Sequence, residues 1–127
     1  MNYSRYLLAA TTALFAVCAS AQTILDSPEL YPGEKTLYEA ARKEGMVVSF
    51  DTGPTWANWS AQFAAFKKRY PEVEIVYNDL GSAATVVALE KSKNRPQADT
   101  AYYFAASAVD AANKGLTAPF KPVNFDK

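Results

Sequence analysis

The sequence predicts an α/β fold, a mainly parallel sheet with flanking helices. Short β-prone runs alternate with helix-length segments along the chain, and each run passes through a small polar turn into the next helix. The clearest case is the stretch from Val73 to Val86, VEIVYNDLGSAATV. Val73, Ile75, Val76 and Tyr77 favour a strand, Asn78 and Asp79 begin a turn, Gly81 permits close approach, and Ser82 is a natural N-cap. Such alternation implies parallel pairing with right-handed crossovers, which brings the carboxyl end of every strand to one edge of the sheet.

The elements follow in order. Residues 1–21 place Arg5 ahead of the apolar run Leu7 to Val17 and finish on Ala19-Ser20-Ala21, the pattern of a secretory signal peptide cut after Ala21. The apolar run is shorter than the about 20 residues that a membrane span requires. Val17 ahead of Cys18 does not suit a lipobox, so the expected product is a soluble exported protein. After a polar segment with Pro28, Pro32 and Gly33, TLYEAARKEG sets Leu37, Ala40, Ala41 and Glu44 at helical spacing and stops at Gly45. Met46 to Phe50 is a compact apolar run of strand length, closed by Asp51-Thr52-Gly53-Pro54-Thr55.

From Asn58 a second helix carries Trp59, Phe63, Phe66 and Tyr70 on one stripe. Lys67, Lys68 and Arg69 gather in its last turn, where they suit the helix dipole, and Pro71 ends it. The next strand and its NDLGSAAT turn lead into a third helix with Val86 and Leu89 inward and Glu90, Lys91 and Lys93 toward water, ending near Asn94-Arg95-Pro96. Asp99 to Phe104 supplies a third strand. Ala105, Ala108, Val109 and Ala112 then trace a fourth helix ending at Asn113-Lys114-Gly115, and Leu116 to Phe120 leads into a tail containing proline.

Composition narrows the function classes. The sequence has no histidine and its single cysteine is Cys18, inside the expected signal segment. Ser-His-Asp and Cys-His catalysis, disulfides and thiolate metal sites are therefore poor fits to the mature chain. Lys and Arg balance Asp and Glu at 13 each with no basic block, which gives no electrostatic footprint for nucleic acid. Roughly a hundred mature residues suffice for one core, hence one domain or one lobe.

Ligands of parallel α/β sheets bind at the carboxyl edge. The loops expected there are Asp51 to Trp56, Asn78 to Ala84, and Tyr103 to Ser107, three small donor-bearing turns each opening into a helix. A helix start of this kind is a receptor for an anionic group. Taken singly, each is also an ordinary strand–helix connection; their repetition is what points to a site.

The order KEGMVVSF, WANWSAQFAAFKKRYPEVEIVYNDLGSAAT, RPQADTAYYF and NKGLTAPFKP resembles the amino-terminal lobe of periplasmic solute-binding proteins of ABC importers. The nearest branch is the family 1 type that includes iron(III), thiamine, phosphonate and polyamine binders. FKKRYPEVEIVY joined to DLGS, and the P-x-A-D approach to the third strand, are the most specific parts. The resemblance implies that residues 22–127 form the first lobe of a type II periplasmic-binding-protein fold. A small charged solute would be held between two lobes, and an ABC permease in the inner membrane would read their closure. It further implies a monomer in the periplasm, with no cofactor, no metal and no covalent chemistry. Members of that family continue into a second lobe, so the chain is expected to be a truncated product.

Carried over residue by residue, the family's first-lobe contacts fall on Thr52 and Gly53, on Gly81, Ser82 and Ala83, and on Tyr103 with Phe104. Thr52 and Ser82 would offer hydroxyls, and Gly53 and Ala83 backbone N–H groups. Trp56 either caps the cleft, where it would suit a cationic solute, or tucks onto the helix. Asp51 and Asp79 are expected as turn-formers. Of Tyr102 and Tyr103, one belongs to the core and the other lines the cleft, because strand neighbours point to opposite faces. Two alternatives stand beside this reading, a secreted α/β hydrolase-like enzyme and a periplasmic adaptor or sensor half-domain. The first lacks a histidine and a G-x-S-x-G elbow, and the second would need a largely apolar open face.

Overall fold

The structure, a computed structural model, describes Ile24, residues 27–123, Phe125 and Asp126. The expected signal segment therefore lies outside the described residues. The elements are α1 (Glu34–Glu44), β1 (Met46–Phe50), α2 (Trp59–Arg69), β2 (Glu74–Tyr77), α3 (Ser82–Lys91), β3 (Thr100–Ala101) and α4 (Ala105–Asn113). The three strands form one parallel sheet in the order β2-β1-β3. The chain moves from β1 outward to β2, then crosses back over β1 to β3. With right-handed crossovers α2 and α3 lie on opposite faces, and the topological switch point falls at the carboxyl end between β1 and β3.

Register and pleat assign the faces. Val47 pairs with Ile75, and Ser49 pairs with both Tyr77 and Thr100, so these residues share the α2 face. That face holds the core: buried Ile24, Tyr38 and Val73, against which Ala41, Val47, Phe66 and Tyr70 pack. The aromatic stripe of α2 forms as its spacing predicts. Trp59 stacks on Phe63 with centroids 5.9 Å apart, Phe63 meets Tyr77 at 5.2 Å, and Phe66 meets Tyr70 at 4.8 Å. On α3, Val86 is buried while Glu90 and Lys91, with Lys93 just beyond the helix, face water, again as expected.

Three expectations need correction. The buried side of α1 runs through Glu34, Tyr38 and Ala41, whereas Leu37 is 59% exposed, because α1 packs toward Val73 and Tyr70 rather than along its aliphatic stripe. On α4 the residue that disappears from solvent is Ala111, and Val109 is 61% exposed. The third strand is Thr100–Ala101 rather than Asp99 to Phe104. Its only partner among the described residues is β1, and β1 ends at Phe50, so the ladder stops there. Asp99 extends the pairing backward with its side chain, its Oδ2 accepting the Val48 N–H at 2.8 Å while its own N–H reaches the Val48 carbonyl at 2.9 Å.

Burying Glu34 in α1 needs compensation, and the end of α2 supplies it. Glu34 Oε1 accepts from Arg69 Nε at 2.6 Å and Tyr70 Oη at 2.7 Å, and Oε2 accepts from Arg69 Nη2 and the Leu30 N–H, each at 2.6 Å. The Arg69 bonds hold the Glu34 carboxyl well below the usual range, at about 2, against the opposing effect of burial. Burial, followed by the hydrogen bond to Glu34, pushes the Tyr70 phenol up to about 12. This cluster joins α1 to the end of α2, at the edge of the sheet opposite the strands' carboxyl ends.

Candidate functional site

At the carboxyl edge the three β–α junctions are tied to one another by hydrogen bonds. β1 hands over to Asp51, which is buried and takes the left-handed conformation at φ 56°. Asx residues tolerate that region better than most, yet it remains uncommon outside glycine. The turn that results lets the backbone of β1 continue its pairing with the chain after β2. Asn78 donates its N–H to the Ser49 carbonyl at 3.2 Å, its carbonyl accepts from Thr52 N–H at 2.9 Å, and its Oδ1 accepts from Asp51 N–H at 3.1 Å.

The Asp51 carboxylate then crosses to the start of α3. Oδ1 accepts the Gly81 N–H at 2.8 Å and Oδ2 accepts the Ser82 hydroxyl at 2.9 Å. Ser82 Oγ in turn accepts the Phe104 N–H at 3.0 Å, which brings in the junction after β3. One buried carboxylate and one buried hydroxyl thus link residues 51, 81, 82 and 104 across the switch point. The expected N-cap is revised accordingly. Gly81 is the N-cap of α3, Ser82 is the first helical residue, and the group that satisfies the Gly81 N–H comes from a different loop.

Aromatic rings cover the α2 side of this rim. Trp56 meets Tyr102 with centroids 5.2 Å apart and planes at 70°, Tyr102 meets Phe104 at 5.8 Å and 82°, and Trp59 lies edge-on to both Trp56 and Tyr102. Trp56 Nε1 donates to Asp79 Oδ1 at 3.1 Å. Below that bond sits Gly53: a Cβ there would lie 2.9 Å from Asp79 Cγ and 3.0 Å from Trp56 Nε1, so glycine is what lets the Asp79 side chain rest on the β1 loop. Trp59 Nε1 is enclosed with no hydrogen-bond partner among the described residues.

The residues expected as a solute site are distributed as follows. Thr52, Gly53, Trp56, Gly81, Ser82 and Ala83 all belong to the two junctions that meet at the rim, after β1 and after β2. The hydroxyls are not free, however. Thr52 Oγ1 donates back to β1, to Ser49 Oγ at 2.9 Å, and Ser82 Oγ is engaged on both sides. Ala83, exposed in the first turn of α3, keeps an N–H with no intramolecular partner among the described residues. Tyr103 falls on the other face of the sheet, in a groove with Leu89, Leu116 and Phe120, where burial raises its phenol pKa. Tyr102, its neighbour, faces the tryptophans, so the pleat argument holds with Tyr102 as the member at the rim.

Sequence reasoning undervalued two residues. Asp51, a turn-former by its sequence position, is also the clamp between junctions; Asp79 positions the Trp56 indole. The available signal was the pairing of an Asx residue at a strand end with a Gly-Ser helix start on the neighbouring strand.

The fold and rim together define a parallel α/β unit whose three β–α junctions are fastened at the switch point, the place where sheets of this class bind ligands. No family model matches the chain, and no curated protein matches it.

Proposed function

We propose that this chain is the amino-terminal lobe of a type II periplasmic solute-binding protein, the component of an ABC importer that captures a small charged solute and presents it to an inner-membrane permease. The observation that carries the reading is the rim itself: consecutive junctions of a β2-β1-β3 parallel sheet, held in one constellation by Asp51 and Ser82. Such a lobe contributes one wall of a cleft, and closure is favoured only by the extra contacts that the solute makes with the opposite wall. Capture here needs no bond making. Gly53, Trp56, Gly81 and Ala83 shape the wall, Thr52 and Ser82 brace it from beneath, and Tyr103 stands outside it.

The sequence contains two tryptophans, Trp56 and Trp59, and both lie in the aromatic cluster, so indole emission reports on this site. Titrating the protein with a panel of small charged solutes should give a saturable emission change for at least one. The same solute should raise stability by about 2.7 kcal/mol at a hundred times its dissociation constant. No saturable response to any member of the panel would refute the reading. Amino-terminal sequencing of the exported product should begin at Gln22.

A second reading, a periplasmic adaptor or sensor half-domain, is favoured by one observation. A groove of about 550 Å³ runs between β3 and residues 116–120, and Phe120 beside it is 85% exposed.

A further inference from the structure

We propose that the rim receives an organic cation rather than an anion. The inference rests on the solute-binding reading and names the class of solute. Its first ground is that a buried carboxylate of the chain itself already lies against the start of α3. The start of α3 is where an anionic ligand would dock, but the Asp51 carboxylate occupies it, taking the Gly81 N–H and the Ser82 hydroxyl. The Phe104 N–H at the switch point is bound to Ser82 Oγ. The first-turn N–H groups of Ser82, Ala83 and Ala84 keep no partner among the described residues, but an incoming anion would meet them beside the buried Asp51 charge.

The second ground is the distribution of charge along the chain. Residues 46–66, 70–90 and 96–113, which include all three strands and all three junctions, contain no Lys or Arg. The cations sit in other places: Arg42 and Lys43 in the last turn of α1, Lys67, Lys68 and Arg69 in that of α2, and Lys91 in that of α3. Those helix ends lead toward the starts of the strands. The carboxyl edge carries Asp51 and Asp79 with no cation from the same segments to neutralise them.

The third ground is the shape and chemistry of the wall. Trp56, Tyr102 and Phe104 stand in succession with their planes at 70° and 82°, and Phe104 is 67% exposed. Ring faces carry negative potential and attract an ammonium group, and in this edge-to-face cluster the exposed Phe104 offers such a surface. Asp79 supplies the carboxylate. It is exposed, and its Oδ1 bond to Trp56 Nε1 fixes it against the first of these rings. A metal cation is a poorer fit. Both oxygens of Asp51 are engaged, and among the described residues no group of three or more His, Cys, Asp or Glu is placed to hold an ion.

The test titrates the full chain, at constant ionic strength, with tetramethylammonium in one arm and methylphosphonate in the other, following emission from the two tryptophans. The expected result is saturable binding of tetramethylammonium alone. Asp79→Asn, which keeps an oxygen for the Trp56 indole and removes the charge, should weaken it by about fivefold. Phe104→Leu should weaken it by about threefold. Both positions are exposed, so both variants should fold. Binding of methylphosphonate alone, or of both probes equally, overturns the cation assignment and leaves solute capture standing. Silence in both arms, together with silence across the wider solute panel, removes the two proposals at once. Unchanged tetramethylammonium affinity in both variants overturns the siting.

Discussion

Replacing Asp51 offers the sharpest check on how the rim is held, because two opposing effects meet at one residue. Its carboxylate accepts two hydrogen bonds, at 2.8 and 2.9 Å, while its backbone sits at φ 56°. Each charge-assisted bond contributes about 1.5–3 kcal/mol, and the left-handed conformation costs a residue with a Cβ about 1–2 kcal/mol. Asp51→Gly removes both bonds and relieves the backbone, but it adds about 0.5–1 kcal/mol of unfolded-state entropy, so the net loss is about 3 kcal/mol. Asp51→Ala removes the bonds and keeps the strain, for a loss of about 4 kcal/mol. Asp51→Asn tolerates the conformation and keeps an acceptor for the Gly81 N–H, and should lose only about 1.5 kcal/mol. Urea unfolding at neutral pH should therefore rank stability as wild type, Asn, Gly, Ala. Amide exchange at Gly81 and Phe104 should quicken in the last two. If the alanine variant equals or exceeds the glycine variant, or if both unfold within 1 kcal/mol of wild type, Asp51 does not join the junctions as described.

Two further outcomes follow from the same geometry. Glu34 has a folded-state pKa of about 2 against an ordinary 4.5. A lowered pKa means the unfolded chain binds the proton more readily, so this carboxylate's contribution is complete above about 4.5 and disappears as pH falls toward 2. Glu34→Gln should cost about 3 kcal/mol at pH 7 and should flatten the fall in urea midpoint over that acid window; a variant with the wild-type acid profile would contradict the assignment. Gly53→Ala drives a methyl into the side chain of Asp79, which is exposed and able to swing aside. Stability should fall by no more than about 1 kcal/mol, while the Trp56 indole N–H resonance shifts as its bond to Asp79 opens. An unmoved indole signal would show that the two side chains are not coupled through this glycine.

What could be read from the sequence depended on how local its cause was. β1, the α2 stripe and the inward side of α3 were legible because they follow from the spacing of side chains within one element. The inward faces of α1 and α4 were not. α1 turns Glu34 and Tyr38 inward because Arg69 and Tyr70 await them from α2, and no pattern within α1 signals that. The length of β3 failed for a related reason, since a strand persists only as far as its neighbour offers a ladder, and β1 stops at Phe50. At the rim, the convergence of the loops followed from topology. The engagement of the Thr52 and Ser82 hydroxyls did not, because it arises from Ser49 and Asp51 in particular rotamers.

That engagement also bears on whether the rim suits binding or chemistry. A serine hydroxyl acting as nucleophile needs a lone pair directed at the substrate and a base able to take its proton. Ser82 Oγ donates its proton to Asp51 and accepts the Phe104 N–H, and it lies buried beneath the rim. Asp51 is held in turn by the Gly81 N–H, so moving either group toward a substrate would break the fastening between junctions. The same constraints favour capture. On the proposed reading, loops already fixed to one another would lose little conformational freedom on solute binding, and contact with Trp56, Phe104 and Asp79 would not be offset by the cost of ordering the wall. The polar groups expected at a solute site, Thr52 and Ser82, serve instead to make the rim rigid, and the surface left open there is aromatic and acidic.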